Sequence, residues 1–119
     1  MNLLNLFKNE EDLTVFAARE VIFKEGDPGD AMYVLIAGKV ELSVRGHSLK
    51  AIQPGELFGE MALIDAEDRS ATAIAVADSK LVRLNEARFG FLVQQTPFFA
   101  LHVMRVLAGR LRTMDNTIN

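Results

Sequence analysis

The stretch EGDPGDAMYVLIAGKVELSVRG, residues 25–46, carries the signals that decide the fold. It opens with a cluster of turn-forming residues: Gly26, Asp27, Pro28 and Gly29. An uninterrupted apolar run over 33–36 follows, which is typical of a buried strand. Gly38 and Lys39 then mark a tight turn, and residues 40–45 alternate apolar and polar with the period of a half-buried strand. We therefore predict two strands joined by a tight turn.

The same pattern continues on both sides of this stretch. A short apolar strand precedes it within REVIF (19–23), and HSLKAI (47–52) supplies another before the Pro54-Gly55 turn. Residues 70–85 read as a further strand pair about Asp78-Ser79. Short strands with turn signals every 8–12 residues or so predict a sandwich or barrel.

Helical patterns are predicted at both ends of the chain. Residues 2–17 are amphipathic and predict one or two short helices, Asn85 is a suitable N-cap, and Pro97 suits the first position of a last helix. The expected class is α+β, an antiparallel β-barrel or jelly roll with N- and C-terminal helices. We expect one domain over 1–119, with the barrel at about 19–84 and the C-terminal helices at about 85–117.

Composition excludes several classes of function. The net charge of −3 argues against direct nucleic-acid binding, and the lack of cysteine removes disulfides and thiolate chemistry. No basic leader and no apolar run of roughly 18 residues is present. We expect a soluble cytoplasmic protein without a membrane span.

The segment FGEMALIDAEDRSATA, residues 58–73, combines an anion site with a carboxylate. A short helix after Gly59 would present free N–H groups, and Arg69 would add a guanidinium suited to phosphate oxygens. Glu60 would be repelled by a phosphate but could accept hydrogen bonds from a hydroxyl. A nucleotide or a sugar phosphate satisfies both ends, whereas a plain surface ion pair of Glu60 with Arg69 is the ordinary alternative.

This segment resembles the phosphate-binding cassette of the cyclic nucleotide-binding domain family, whose pattern is F-G-E-[LM]-A-L, a short loop, then R-[STA]-A-[TS]. The upstream EGDPGDAMYVLIAGKVEL is similar to the family's G-D-x-[GA]-D-x-[ML]-Y-x-[IVL]-x-x-G pattern. The resemblance covers roughly residues 12–115. Two motifs in the expected order make it a specific signal.

The resemblance implies a role for each matching residue. Glu60 would accept the ribose 2′-hydroxyl, with Gly59 making a backbone contact nearby, and Arg69 would pair with the cyclic phosphate. Ser70, unless it is an ordinary strand serine, and the Ala71 amide would complete the phosphate shell. Three apolar residues would pack around base and sugar: Leu42, Leu49 and Met61.

The last helix carries an apolar seam at heptad spacing: Met104, Leu107, Leu111, Met114 and Ile118. It predicts packing either on the chain's own barrel or on a second helix. In the family such a helix forms a dimer interface or a lid, so a homodimer or an effector protein is the expected partner. The resemblance places Arg110 near the ligand and Met114 and Asp115 (or Asn116) at the base, although a solvated helix end is the ordinary alternative.

No catalytic or metal site is predicted, because His47 and His102 lie far apart and lack companions at ligand spacing. We expect a regulatory module that binds cAMP in preference to cGMP, without other cofactors, and that couples binding to its C-terminal helices. One alternative is a family member acting as a protein-interaction module with a different ligand or none, and a small metal-dependent β-barrel enzyme is disfavoured. Because family activators carry a helix-turn-helix after this helix, we expect a stand-alone module or a piece of a longer protein.

Overall fold

The computed structural model describes residues 1–118, with side chains through Thr113. Residues Asn2–Glu86 form one compact unit, and the residues from Ala87 onward form a second unit together with Met1. The prediction of one domain over 1–119 stays a prediction.

The first unit contains two antiparallel four-stranded sheets. Its strands are β1 (Thr14–Phe16), β2 (Val21–Phe23), β3 (Ala31–Ala37), β4 (Val40–Val44), β5 (His47–Ile52), β6 (Leu57–Phe58), β7 (Thr72–Ala75) and β8 (Ser79–Asn85). One sheet has the order β1-β8-β3-β6 and the other β2-β7-β4-β5. The predicted class, an antiparallel jelly roll with helices before and after it, is confirmed, although the two sheets form a sandwich rather than a closed barrel.

Strands that are adjacent in sequence lie in different sheets, except that β4 and β5 are neighbours in the same sheet and pair with each other. The tight turn at Gly38, whose φ is 100°, joins β3 in one sheet to β4 in the other. The strands on either side of Asp78 are also present, but β7 pairs with β2 and β4, whereas β8 pairs with β1 and β3. The predicted strand pair is therefore two strands in different sheets, because residues 76–78 carry the chain across the sandwich.

The core lies between the sheets and draws on both of them. Its central cluster consists of Tyr33, Leu35, Val40, Ile52, Phe58, Ala73 and Leu81, which come from six different strands. The apolar run of β3 is buried from Ala31 to Leu35, as expected for a strand covered on both faces. Phe23 of β2 packs against this cluster, and its ring lies near those of Tyr33 in β3 and Phe58 in β6, beside the candidate site.

The N-terminal segment differs from the prediction of one or two helices. Helix α1 spans only Leu3–Leu6, with the Asn2 side chain accepting a hydrogen bond from the Asn5 N–H, and Thr14–Phe16 is strand β1. Mixed apolar spacing did not distinguish these states, and pairing with β8 decides the strand.

Three further helices complete the described chain. Helix α2 (Glu60–Ile64) belongs to the first unit, and α3 (Glu86–Gln95) and α4 (Pro97–Ile118) follow the last strand. Asn85 immediately precedes α3, and Pro97 is the first residue of α4, as predicted. Within the second unit, the rings of Phe89 and Phe99 meet edge to face at 5.7 Å.

Candidate anion-binding site

Between β6 and helix α2, one residue has the left-handed backbone conformation and sets the position of the helix. Gly59 has a φ of 77° and forms the N-cap without a side-chain hydrogen bond. A residue with a Cβ adopts this conformation at a cost, whereas glycine does not. The turn directs Glu60, the first residue of α2, into the interior, where only 1% of its surface is exposed.

The backbone of Arg69 is fixed by the turn that precedes β3. The Gly26 N–H donates to the Arg69 carbonyl at 2.8 Å, and the Arg69 N–H donates to the Asp27 carbonyl at 2.8 Å. This reciprocal pair joins the two sequence motifs, although more than forty residues separate Gly26 from Arg69 in the chain. The turn motif therefore positions the arginine of the second motif.

The Arg69 side chain is 7% exposed and binds two backbone carbonyls. Its Nη1 donates to the Gly59 carbonyl at 2.9 Å and its Nη2 donates to the Ala31 carbonyl at 2.8 Å. Because Gly59 precedes Glu60, the first of these bonds brings the two ends of the 58–73 segment to one place.

The ordinary alternative of a surface ion pair between Glu60 and Arg69 does not hold. Both side chains are buried, and within the part of the chain that the structure describes Arg69 makes no ion pair. Its Nε is buried and has no hydrogen-bond partner among those residues. The guanidinium thus retains a donor, and no carboxylate of the described residues balances its charge at contact distance.

Aromatic rings and glycines surround the guanidinium. Its Cζ lies 4.1 Å from the centre of the Phe23 ring and 5.9 Å from that of Tyr33. A Cβ on Gly29 would lie 2.7 Å from Cζ, and one on Gly59 would lie 2.8 Å from Nη1, so the guanidinium fills the space that two side chains would need.

Burial is the main electrostatic influence on this group. Desolvation lowers the pKa of Arg69, and the nearby Tyr33 and Asp30 partly oppose that shift. Arginine nevertheless stays protonated at neutral pH. A buried cation is costly unless charge or dipoles compensate it; the two carbonyl dipoles do so only in part, because Nε has no partner among the described residues, so the arrangement favours an anion.

The sequence did not identify three contributors to this site, namely Ala31, Phe23 and Gly29, and it did not predict the bond between Gly59 and Arg69. Ala31 and Gly59 bind the guanidinium through carbonyls, which every residue possesses, so no residue type could signal these bonds. Phe23 resembled an ordinary strand residue. Gly29 belongs to the quoted turn motif, and its close approach to Arg69 explains the glycine.

The remaining predicted residues of the first unit lie nearby in sequence but differ in exposure. Ser70 is exposed and Ala71 is buried. Leu42 is partly buried and packs on the core cluster. Leu49 falls at a bulge of β5 and is 63% exposed, and Met61 on α2 is also exposed. Their proposed ligand contacts stay predictions.

Arg110 is half-buried in α4, in the second unit. Met114, Asp115 and Asn116 lie outside the residues whose side chains are described.

His47 is exposed at the start of β5 and His102 is half-buried in α4. Among the described residues, no group of three or more His, Asp or Glu could hold a metal ion. Over the same residues, no helix has the length and apolar character needed to cross a membrane.

Several known proteins have similar sequences and similar folds. The cyclic AMP receptor protein of Thermus thermophilus is 42% identical over 100 residues, which cover 79% of this chain and 46% of that protein. The crystal structure of the Thermus thermophilus catabolite activator protein matches with a TM-score of 0.83 and 37% identity, over 90% of this chain and 53% of that one. The chain therefore spans about half the length of these relatives.

A third match comes from a structure of a cyclic-GMP-dependent signalling pathway that regulates bacterial phytopathogenesis. Its TM-score is 0.80 at 31% identity, and the match covers 92% of this chain and 91% of that one. The family model of the cyclic nucleotide-binding domain matches residues 13–96. That range includes both motifs and every residue that contacts the Arg69 guanidinium, and so the chain is a member of the cyclic nucleotide-binding domain family.

Proposed function

We propose that this chain binds a 3′,5′-cyclic nucleotide as a regulatory module. The observation that carries the proposal is the buried Arg69 guanidinium, which makes no ion pair among the described residues and lies beside the Gly59-Glu60 step. A cyclic phosphate carries one negative charge, which one arginine can balance. The proposed binding mode places the phosphate on Arg69, Ser70 and the Ala71 amide.

The ribose is proposed to lie toward α2. A 3′,5′-cyclic phosphate occupies the 3′-oxygen and leaves the 2′-hydroxyl as a donor for the Glu60 carboxylate. Gly59 has no side chain to obstruct that approach. The exposed Leu49 and Met61, with Leu42, are proposed to contact the base and sugar, because apolar side chains at a surface suit a purine face.

We propose that cAMP is preferred over cGMP. The relative with 42% identity is a cyclic AMP receptor protein, whereas the structure from a cyclic-GMP-dependent pathway is 31% identical. This comparison favours cAMP, and Ser70 after Arg69 is compatible with either base.

Coupling to the rest of the molecule is proposed to pass through Arg69. Its two carbonyl bonds connect the start of β3 to the N-cap of α2. A phosphate bound to the guanidinium in this position would compete with the carbonyls for its N–H groups, weaken these two bonds and allow α2 to shift. The proposed result is a rearrangement of α3 and α4, in which Arg110, Met114 and Asp115 complete the site, and only the ligand's differential affinity for the two arrangements drives it.

The output surface is proposed to be α4. It would meet a second copy of the chain or an effector protein, in the cytoplasm and without direct contact to nucleic acid. No catalytic step is proposed for the described residues.

Calorimetry with cAMP and cGMP tests this function. Arg69→Ala should weaken binding by about 2–5 kcal/mol, as expected when one partner of a buried charged contact is removed. Arg45→Ala, which removes a positive charge from the exposed turn after β4, should leave affinity unchanged.

The results separate the alternatives. If the folded wild type binds neither nucleotide, the interaction-module alternative replaces the sensor. If Arg69→Ala binds as tightly as Arg45→Ala, the proposed phosphate position is wrong.

A further inference from the structure

The Arg69 guanidinium packs on the face of an aromatic ring to which the sequence motifs gave no role. The ring of Phe23, the last residue of β2, is centred 4.1 Å from Cζ. This distance is well within the roughly 6 Å at which a cation and an aromatic face attract each other. Phe23 is half-buried, so the contact lies in a partly desolvated environment where that attraction is stronger.

The Phe23 ring is itself held in place. Its centroid lies 6.2 Å from that of Tyr33 and 6.0 Å from that of Phe58, and the latter two rings stack at 5.5 Å. The ring therefore has little freedom to turn away from the guanidinium.

A ring and a carboxylate position an arginine with different consequences. A carboxylate in contact would neutralise the guanidinium and compete with a bound anion. An aromatic face attracts the cation through its quadrupole and carries no net charge. In the described residues, Arg69 is held by two carbonyl dipoles and this ring, so its positive charge remains available.

We propose that Phe23 is a positioning residue of the anion site, which holds the Arg69 guanidinium in place through its ring face without neutralising it. The inference rests on the proposed function for its ligand. The contact between Phe23 and Arg69 can be measured without any ligand.

NMR of the complete chain without nucleotide provides that measurement. Protons above an aromatic face are shifted upfield by the ring current, so the Arg69 side-chain N–H and Cδ protons should resonate upfield of those of Arg45. The shift should disappear in Phe23→Leu and persist in Phe16→Leu. Phe16 is the matched control, because it is a partly buried phenylalanine that packs on the same core cluster.

Affinity for cAMP supplies the second measurement. Phe23→Leu should weaken binding about five- to thirty-fold, the range expected for a partly desolvated cation–π contact. Phe16→Leu should change it less than about twofold, since the described cation–π contacts of Arg69 involve Phe23 and Tyr33. In an Arg69→Ala background, Phe23→Leu should cause no further loss.

Variants that keep an aromatic ring of nearly the same shape at position 23 distinguish the electrostatic effect of the ring from its packing. Replacement of Phe23 by pentafluorophenylalanine keeps an aromatic side chain and reverses its quadrupole, so cAMP affinity should fall as in Phe23→Leu. Phe23→Tyr keeps the electron-rich face and should retain affinity. If Phe23→Leu does not fold, these two variants and the wild-type upfield shift provide the test.

The two proposals fail differently. If no cyclic nucleotide binds but the upfield shift is present and depends on Phe23, the sensor function fails and the positioning role stands. If the shift is absent in the wild type, or the pentafluoro variant binds like wild type, Phe23 is only a core residue. Equal losses in Phe23→Leu and Phe16→Leu would overturn the positioning role as well.

Discussion

Arg69 shows how backbone atoms can prepare a site for an anion. Each of its two carbonyl partners is a dipole, which stabilises the guanidinium but leaves its formal charge unbalanced. A phosphate can therefore bind without displacing a carboxylate. The sequence motif identified Gly59 but not its carbonyl bond to Arg69, and no amino-acid pattern singles out Ala31, whereas Arg69 and Glu60 were predictable because their charges suit phosphate and hydroxyl groups.

Glu60 should determine recognition of the ribose. If its carboxylate accepts the 2′-hydroxyl, wild type should bind cAMP more tightly than 2′-deoxy-cAMP by about 1.5–3 kcal/mol, the value of a hydrogen bond to a charged group. Glu60→Ala should bind both ligands weakly and equally. Met61→Ala, at the next position of α2, should preserve the discrimination, and calorimetry with both ligands measures it. Equal affinities in wild type would contradict the role of Glu60.

Gly29 should tolerate no side chain. Its Cβ would lie 2.7 Å from both Arg69 Cζ and the Ala62 Cβ, so Gly29→Ala must displace the guanidinium or α2. Overpacking of this kind costs about 1–3 kcal/mol of unfolding free energy, which denaturant melts can measure.

Gly109→Ala is the control for this substitution. Among the described side chains, none lies within 4 Å of its Cβ position in α4, so the alanine should stabilise the chain by about 0.5–1 kcal/mol. Similar stabilities of the two variants would show that the guanidinium is not confined by Gly29.

At the scale of elements, local sequence patterns predicted the positions of strands better than they predicted which strands pair in each sheet. Strand β4 and the Gly38 turn are both observed, although the burial of β4 alternates only over Val40, Glu41 and Leu42. That β7 and β8 belong to different sheets follows from long-range pairing, which the three intervening residues do not encode. Strand β1 has only three residues and depends on β8 for its hydrogen bonds, so its own apolar spacing was not sufficient to predict it.

Helix α4 should make stability depend on pH through His102. Burial, then the N-terminal amino group and Arg105, lower the pKa of this imidazole in the folded chain. The unfolded chain therefore binds the proton first as pH falls. Unfolding free energy should decrease from the ordinary histidine pKa down to the lowered folded value, and be independent of this group above that window.

Denaturant melts across this pH window test the expectation. His102→Gln should flatten the profile where wild type loses stability, whereas His47→Gln, at an exposed position, should retain the wild-type slope. If His102→Gln and wild type lose stability in parallel as pH falls, other groups cause the dependence.

At the scale of the whole molecule, the family and the sandwich could be predicted because two motifs and the strand spacing agree. The boundary between the two compact units at Glu86 could not, because Asn85 and Glu86 join a strand directly to a helix without a linker. The apolar seam of α4 left two partners open, the chain's own sheets or a second helix. Exposure now distinguishes its members, because Met104 and Leu111 are each 61% exposed, and Leu107 is partly buried.

The seam should hold two copies of the chain together. In a twofold interface each substitution appears twice. The double variant Met104→Glu, Leu111→Glu would therefore bring like charges into an apolar contact and weaken the free energy of dimer association by several kcal/mol. Sedimentation equilibrium should show a dimer for wild type and a monomer for this variant.

Because both side chains are exposed within one chain, the thermal unfolding of the variant should remain cooperative. Val15→Glu, a substitution at a 64% exposed position of β1, should leave the dimer intact. A wild type that stays monomeric at its highest soluble concentration would instead assign the exposed face of α4 to an effector protein.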